Sequence, residues 1–94
     1  MNTHAATSIA EIEATILTLT KQRGPAKSIC PSEVARALRP DWQSLLSEVR
    51  RVACRLATAG QIDVLRKGHV VEPDGVKGVI RLRMAQPAQP KDEH

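Results

Sequence analysis

The clearest chemistry in this sequence belongs to arginines spaced for the exposed side of a helix in the segment 42–59. When a helix lies in the major groove of DNA, arginine pairs through two hydrogen bonds with guanine, and glutamine with adenine. The residues of this segment that we predict to contact nucleic acid are Gln43, Ser44, Ser47, Arg50, Arg51 and Arg55. The alternative is a solvated helix face, with Glu48 at hand for a weak ion pair, or a face that contacts a protein.

A second group of basic residues lies in and beside the loop from Gly68 to Gly78. Its members are Arg66, Lys67, His69 and Lys77. Basic loops next to a recognition helix commonly rest against phosphate groups, which gives an affinity that falls with salt. Glu72 and Asp74 occupy the same loop and partly cancel its charge, so a plain hairpin loop is the alternative.

The cysteines and histidines form no pattern that indicates catalysis or metal binding. Cys30 stands just before a predicted helix, where the helix dipole can make a thiol reactive, but no histidine or aspartate is spaced to act as its base. We therefore expect Cys30 to cap or to pack, and Cys54 to lie at the border of a helix face. His4, His69 and His94 match no ligand spacing. The sequence predicts no enzyme, no metal site and no cofactor.

Composition limits the kinds of partner that remain. The chain has 94 residues, with 14 Lys and Arg against 10 Asp and Glu and a formal net charge of +4. A basic domain of this size favours a polyanion such as nucleic acid. Trp42 is the only residue among Phe, Trp and Tyr, which excludes modules that stack bases on aromatic side chains. No apolar run is long enough to span a membrane and no signal peptide is evident, so we expect a cytoplasmic protein.

Helix signals begin with Ser8-Ile9-Ala10-Glu11, which fits a capping box. Apolar residues at positions 9, 12, 16 and 19 then predict the buried stripe of a first helix, which ends at Gly24-Pro25. The run Lys27-Ser28-Ile29 that follows is either an extended link or a minimal strand.

Two further helices follow from proline and capping signals. Pro31 suits the first position of a second helix, and Pro40 disfavours helical geometry at Arg39, where that helix ends. Asp41 is expected to cap a third helix over residues 42–59. The inward residues of the third helix are predicted to be Trp42, Leu45, Val49, Val52, Ala53 and Leu56.

Two strand-like runs follow the third helix. Residues 61–67 alternate imperfectly, and residues 79–83 alternate cleanly, with Ile80 and Leu82 expected to face inward. The sequence thus predicts an α+β, mostly helical fold: a winged helix-turn-helix of three helices followed by a two-stranded β-hairpin wing. The domain is expected to span residues 8–83, between a polar leader (residues 1–7) and a disordered tail (residues 84–94).

Three motifs resemble those of a bacterial family known as domain of unknown function 3253. They are KSICPSEVAR at residues 27–36, RVACRLATAGQI at residues 51–62 and GVIRLR at residues 78–83. The resemblance covers nearly the whole predicted domain. It implies a winged-helix fold and brings no activity, cofactor or site residue that could be transferred to this chain.

The predicted function is binding of double-stranded DNA through helix 42–59 and the wing at residues 66–79. The alternative is a winged helix that contacts a protein partner and does not bind DNA. Salt separates the two, because DNA affinity drops steeply with ionic strength and an apolar protein interface hardly responds. No membrane or metal partner is expected.

Overall fold

Three helices followed by a small antiparallel sheet form the structure, a computed structural model that describes residues 7–85. The helices are α1 (Ile9–Arg23), α2 (Pro31–Leu38) and α3 (Leu46–Thr58), with a 3-10 turn (Trp42–Leu45) before α3. The strands are β1 (Ile62–Arg66), β2 (His69–Val70) and β3 (Arg81–Met84). This order is that of a winged helix-turn-helix and confirms the predicted α+β fold.

The predicted ends of the domain fall close to the limits of the described residues. Strand β3 continues to Met84, one position beyond the predicted end of the domain. Residues 1–6 of the predicted leader and residues 86–94 of the predicted tail lie outside the described residues. Within residues 7–85, no helix is both long enough and apolar enough to cross a bilayer.

The capping box predicted for α1 is confirmed by both of its hydrogen bonds. The backbone N–H of Glu11 donates to the Ser8 hydroxyl over 3.1 Å, and the N–H of Ser8 donates to the Glu11 carboxylate over 3.0 Å. The predicted apolar stripe is wrong at its start, because Ile9 is 44% exposed. The buried side chains of α1 are Ile12, Ile16 and Thr20. Thr20 is tolerated there because its hydroxyl donates to the carbonyl of Ile16 over 2.8 Å.

The start of α2 is fixed by Glu33. Its carboxylate accepts from the N–H of Cys30 over 3.0 Å and is ion-paired with Arg23 at the end of α1. Partial burial raises the pKa of Glu33, but the Cys30 N–H and the Arg23 guanidinium together hold that pKa below its ordinary value. The carboxylate therefore joins two helix ends while it remains ionised.

The third helix differs from its prediction in its first turn. Residues 42–45 are 3-10 rather than α-helical, and Asp41 makes no capping bond to a backbone N–H. Its carboxylate instead accepts from Arg39 over 2.8 Å and from the Ser44 hydroxyl over 3.3 Å. The predicted inward face is confirmed from Leu45 onwards, over the end of the 3-10 turn and α3: the buried residues are Leu45, Val49, Val52, Ala53 and Leu56. Trp42 is half-buried at the edge of the core, with the Arg36 guanidinium 4.6 Å from its ring centroid.

Strand β1 occupies the centre of the sheet, in the order β2-β1-β3. It pairs with β3 in a register that sets Val64 opposite Leu82. Beyond β3, Ile29 exchanges two backbone hydrogen bonds with Leu82, over 2.7 and 2.8 Å. The run Lys27-Ser28-Ile29 is thus a minimal strand, reduced to one bridge. The inward side chains of the sheet, which close the core against the helices, are Ile29, Ile62, Val64, Ile80 and Leu82.

The predicted two-stranded wing is wrong in its strand count, because β2 adds a third strand inside the predicted loop. Lys67 and Gly68 join β1 to β2 with φ angles of 54° and 83°. Positive φ at both central residues defines the tight turn that suits the twist of a hairpin. Asn or Asp before Gly is the usual sequence of such a turn, so Lys67-Gly68 gave only a weak indication of it.

The burial of Leu56 in the core predicts what it costs to shorten this side chain of α3. Replacing Leu56 with alanine should lower the free energy of unfolding by about 2–5 kcal/mol, since Leu56 is 4% exposed in a core without Phe or Tyr. Replacing Arg55, its exposed neighbour, should change that free energy by no more than about 0.5 kcal/mol. Chemical denaturation of both variants measures the difference. Equal losses would mean that the helical phase of α3 is misassigned.

Candidate nucleic-acid interface

The outer face of α3 and its preceding turn is polar and open to solvent. The predicted site residues that are exposed on it are Gln43, Ser44, Ser47, Arg51 and Arg55. The Arg51 guanidinium is ion-paired with Glu48, one turn earlier, although the Arg51 side chain remains 68% exposed. The Arg55 guanidinium makes no hydrogen bond or ion pair with any residue in the range 7–85. The structure therefore brings five of the predicted residues onto one face, with one of the two arginines held by an acid.

Arg50 points from α3 towards the wing. Its Nη1 donates to the carbonyl of Gly78 over 2.9 Å, and its Nη2 donates to the carbonyl of Val76 over 3.3 Å. These acceptors are neutral, so the guanidinium retains its positive charge while it holds the loop. Contact of Arg50 with nucleic acid stays a prediction, and the structure adds that Arg50 positions the wing against α3.

The wing loop lies along the side of α3 and covers Cys54. The Cys54 thiol donates to the carbonyl of Pro73 over 3.3 Å. Burial raises the pKa of this thiol, the nearby charge of Arg50 lowers it, and Asp74 raises it, with a net result above its ordinary value. An open groove of about 800 Å³ runs between α3 and the loop. The lining residues of the groove are Arg51, Cys54, Arg55, Thr58, Ala59, Pro73, Asp74 and Gly75.

The remaining predicted residues lie at the end of the sheet that carries the β1–β2 turn. Arg66 stands opposite His69 in the β1–β2 pair, and Lys67 forms the turn between them. The Arg66 guanidinium packs over Gly78, where a Cβ atom would lie 2.9 Å from its Nη2. Arg50 and Arg66 therefore meet the same glycine from α3 and from β1. Lys77, exposed beside that glycine, completes the group.

The acids of the wing lie at its other end. The N–H of Val71 donates to the carbonyl of Val64 over 3.0 Å, so the chain after β2 returns along β1 towards the end of α3. Glu72 and Asp74 there line a cleft with Asp63. The cancellation of charge expected from the sequence is reduced by this separation: bases occupy the turn, and acids occupy the base of the wing.

Sequence reasoning missed Arg81 as a site residue. Its Nε donates to the Ser28 hydroxyl over 2.7 Å and its Nη2 donates to the Ser28 carbonyl over 3.0 Å. Alternation in β3 predicts an outward side chain at this position, but no local pattern connects two residues that are 53 positions apart. Arg81 adds another positive charge at the basic end of the sheet.

Cys30 has the local role expected of it. It precedes α2 as the N-cap residue, and its sulfur accepts from the Ser32 hydroxyl over 3.1 Å. Among residues 7–85, no three side chains of His, Cys, Asp or Glu are grouped as metal ligands.

The Arg50 contact predicts how the wing responds to its loss. Replacing Arg50 with alanine should make residues 76–78 more mobile and lower the free energy of unfolding by about 1 kcal/mol, the contribution of a partly exposed hydrogen-bonded pair. Backbone ¹⁵N relaxation measures the mobility, with the Arg55→Ala variant as a control of equal charge. Unchanged order at residues 76–78 would show that other contacts hold the loop.

A search of curated proteins returns no match. A family profile described as "Protein of unknown function (DUF3253)" matches residues 9–85, which include every helix and strand of the structure. The family suggested by the sequence is thereby confirmed: the chain belongs to the DUF3253 family of proteins of unknown function.

Proposed function

We propose that the protein binds double-stranded DNA through α3 and the wing. The observation that supports this is a concentration of unneutralised cations at one end of the sheet. Its members are Arg50, Arg66, Lys67, Lys77 and Arg81. No carboxylate within residues 7–85 forms a hydrogen bond or an ion pair with any of them. A charged end of this kind favours the phosphates of a polyanion.

The exposed face of α3 adjoins this basic end, because Arg50 joins the two through Val76 and Gly78. An α-helix fits the major groove, where Gln43, Ser47 and Arg55 would reach base edges. The wing would then contact phosphate groups and fix the orientation of the helix. The DNA proposal thus divides the predicted residues into base-reading residues on α3 and phosphate-binding residues on the wing.

Double-stranded rather than single-stranded nucleic acid is favoured by the lack of an exposed Phe, Trp or Tyr side chain. Trp42 is the only residue of these three types, and it is half-buried with Arg36 over its ring. Proteins that bind single strands without sequence preference rely on aromatic side chains for stacking. The proposal places the protein in the bacterial cytoplasm, where chromosomal DNA is accessible, and gives it no enzymatic activity.

A protein partner is the second candidate, and two exposed valines on the wing favour it. Val70 is 58% exposed and Val79 is 81% exposed. Large apolar side chains at such exposure are candidates for burial in an interface. In this alternative the wing contacts a protein through these valines, and the charged residues around them keep the surface soluble.

The DNA proposal predicts a specific response to salt. Affinity for random duplex DNA should fall steeply between about 50 and 200 mM salt, and replacing Lys67 and Lys77 with alanine should flatten the slope by about one unit per lost phosphate contact. Fluorescence anisotropy measures both quantities. Lys21→Ala removes a lysine of α1 away from the proposed interface and should leave the slope unchanged.

Absence of binding would overturn the DNA proposal. Non-specific contact alone gives measurable affinity at about 50 mM salt and tens of micromolar protein. The protein-interaction alternative replaces the DNA proposal if folded protein does not bind DNA under these conditions and a protein partner binds with little dependence on salt. The Val79→Ser variant should then no longer bind that partner.

The ion pair on α3 predicts a gain of affinity. Glu48 holds Arg51 and places a negative charge on the face proposed to meet DNA. Glu48→Gln should therefore tighten DNA binding by up to about fivefold, the upper range for release of an exposed ion pair. Glu13→Gln on α1 changes the net charge equally and serves as the control. Equal tightening by both variants would mean that total charge alone, and not the α3 face, determines affinity.

A further inference from the structure

A separate cavity of about 400 Å³ lies on the outer face of the sheet, between the β1–β2 turn, β3 and the segment before α2. Its lining residues are Ser28, Leu65, Arg66, Lys67, Gly68, Val79 and Arg81. Three of them are cationic, and none is a carboxylate. This volume lies within the range of pockets that hold small organic ligands.

Arg81 is held in place within this cavity without losing its charge. Its guanidinium has five N–H donors, of which one from Nε and one from Nη2 bind the hydroxyl and the carbonyl of Ser28. The other donors make no hydrogen bond with any residue in the range 7–85. A guanidinium with one edge fixed and the other edge free is prepared to bind an oxyanion through two parallel hydrogen bonds.

The nearest candidate for neutralising Arg81 is already engaged. Glu33 is electrostatically coupled to Arg81, but its carboxylate is held by the N–H of Cys30 and by Arg23. Arg23 therefore balances the charge of Glu33. Lys67 adds a second cation without a partner among the described residues. Within residues 7–85, the cavity thus keeps an excess of positive charge that no carboxylate pairs with.

The floor of the cavity is apolar. Leu65 is 7% exposed, yet it lies outside the main core cluster, because the alternation of β1 places it on the outer face. Val79, which also lines the cavity, is 81% exposed. A ligand with an apolar or flat body next to its anionic group would cover both side chains.

We propose that this cavity binds a phosphate ester, with the phosphate on Arg81 and Lys67 and the organic body against Leu65 and Val79. The site lies on the outer face of the sheet and uses Arg81 and Ser28, which have no counterpart on the α3 face. It shares Lys67 and Arg81 with the basic end proposed to contact DNA, but it does not use α3, so a small phosphate ester can bind here whether or not the protein binds DNA. A phosphate is favoured over a carboxylate because a dianion matches several cations that no carboxylate accompanies.

Phenyl phosphate is the probe, because it joins a phosphate to a small apolar ring. Titration into ¹⁵N-labelled full-length protein at constant ionic strength should shift the resonances of residues 65–68 and 79–81 in a saturable manner. Phenol supplies the ring without charge, and inorganic phosphate supplies the charge without the ring. Both should bind more weakly than phenyl phosphate. Shifts spread evenly over all basic residues would overturn the proposal, since they indicate general ion screening.

Two variants test the residues directly. Arg81→Gln should weaken the affinity for phenyl phosphate by about tenfold, the loss expected when charge-assisted hydrogen bonds are removed. Lys67→Gly removes the lysine charge proposed to hold the phosphate and suits the positive φ of 54° at this position, so it keeps the fold and should also weaken binding severalfold. Lys21→Gln changes the net charge equally on α1 and should bind as the wild type does. Wild-type affinity in both cavity variants would overturn the proposal.

Duplex DNA with unphosphorylated ends distinguishes the two sources of a phosphate ester. If phenyl phosphate binds equally well in the presence of saturating duplex, the cavity is a site for a small phosphorylated molecule. If the duplex displaces it, the cavity belongs to the DNA-binding surface and its separate role is refuted. If phenyl phosphate binds a protein that has no affinity for DNA, the DNA proposal alone fails.

Discussion

The arrangement of the whole domain depends on the backbone of Leu82. Its N–H and its carbonyl are both bonded to Ile29, over 2.8 and 2.7 Å, while the same residue stands opposite Val64 in the β1–β3 pair. One buried residue therefore joins the segment before α2 to the strands that follow α3. Because these hydrogen bonds are buried, water does not compete for them, and breaking them would leave unpaired polar groups in the core.

This junction determines where the side chains of the proposed sites lie. Ser28 and Arg81 are the neighbours of Ile29 and Leu82 along their chains, so the bridge sets the Ser28 hydroxyl 2.7 Å from the Arg81 guanidinium. At the end of β1, the tight turn at Lys67-Gly68 sends the chain back along that strand. That return carries the wing loop to α3, where Arg50 binds it, and separates the acids of the wing from its bases.

The features that the sequence predicts correctly are those with local causes. The capping box at Ser8, the proline at the start of α2 and the inward face of α3 depend on residues within one or two helical turns of each other. The features that it misses depend on tertiary contacts. Arg50 reaches carbonyls 26 and 28 positions away, and Arg81 reaches a serine 53 positions away. No periodicity records such pairs.

Two errors of sequence interpretation have other causes: competition for one side chain in the first case, and position at a helix end in the second. Asp41 is suited to capping, but Arg39 two positions earlier takes its carboxylate, and the first turn after it becomes 3-10. Ile9 belongs to the apolar repeat of α1, yet it lies in the first turn, where it stays 44% exposed, and Thr20 extends the buried stripe at the other end. Composition and spacing indicate the roles that a residue can have, and the tertiary contacts determine which of those roles it has.

The basic end of the sheet carries a cost in folding free energy that a bound anionic ligand would offset. Arg50 and Arg66 approach the same glycine, Gly78. Lys67 has a left-handed backbone conformation that residues other than Gly and Asn rarely adopt. Like charges at close range repel each other, and carbonyl partners reduce this repulsion without removing it. Sequences commonly retain such local conflicts where function requires them. An anion bound at this end would relieve the repulsion, so the free energy of unfolding should rise as the anion concentration rises.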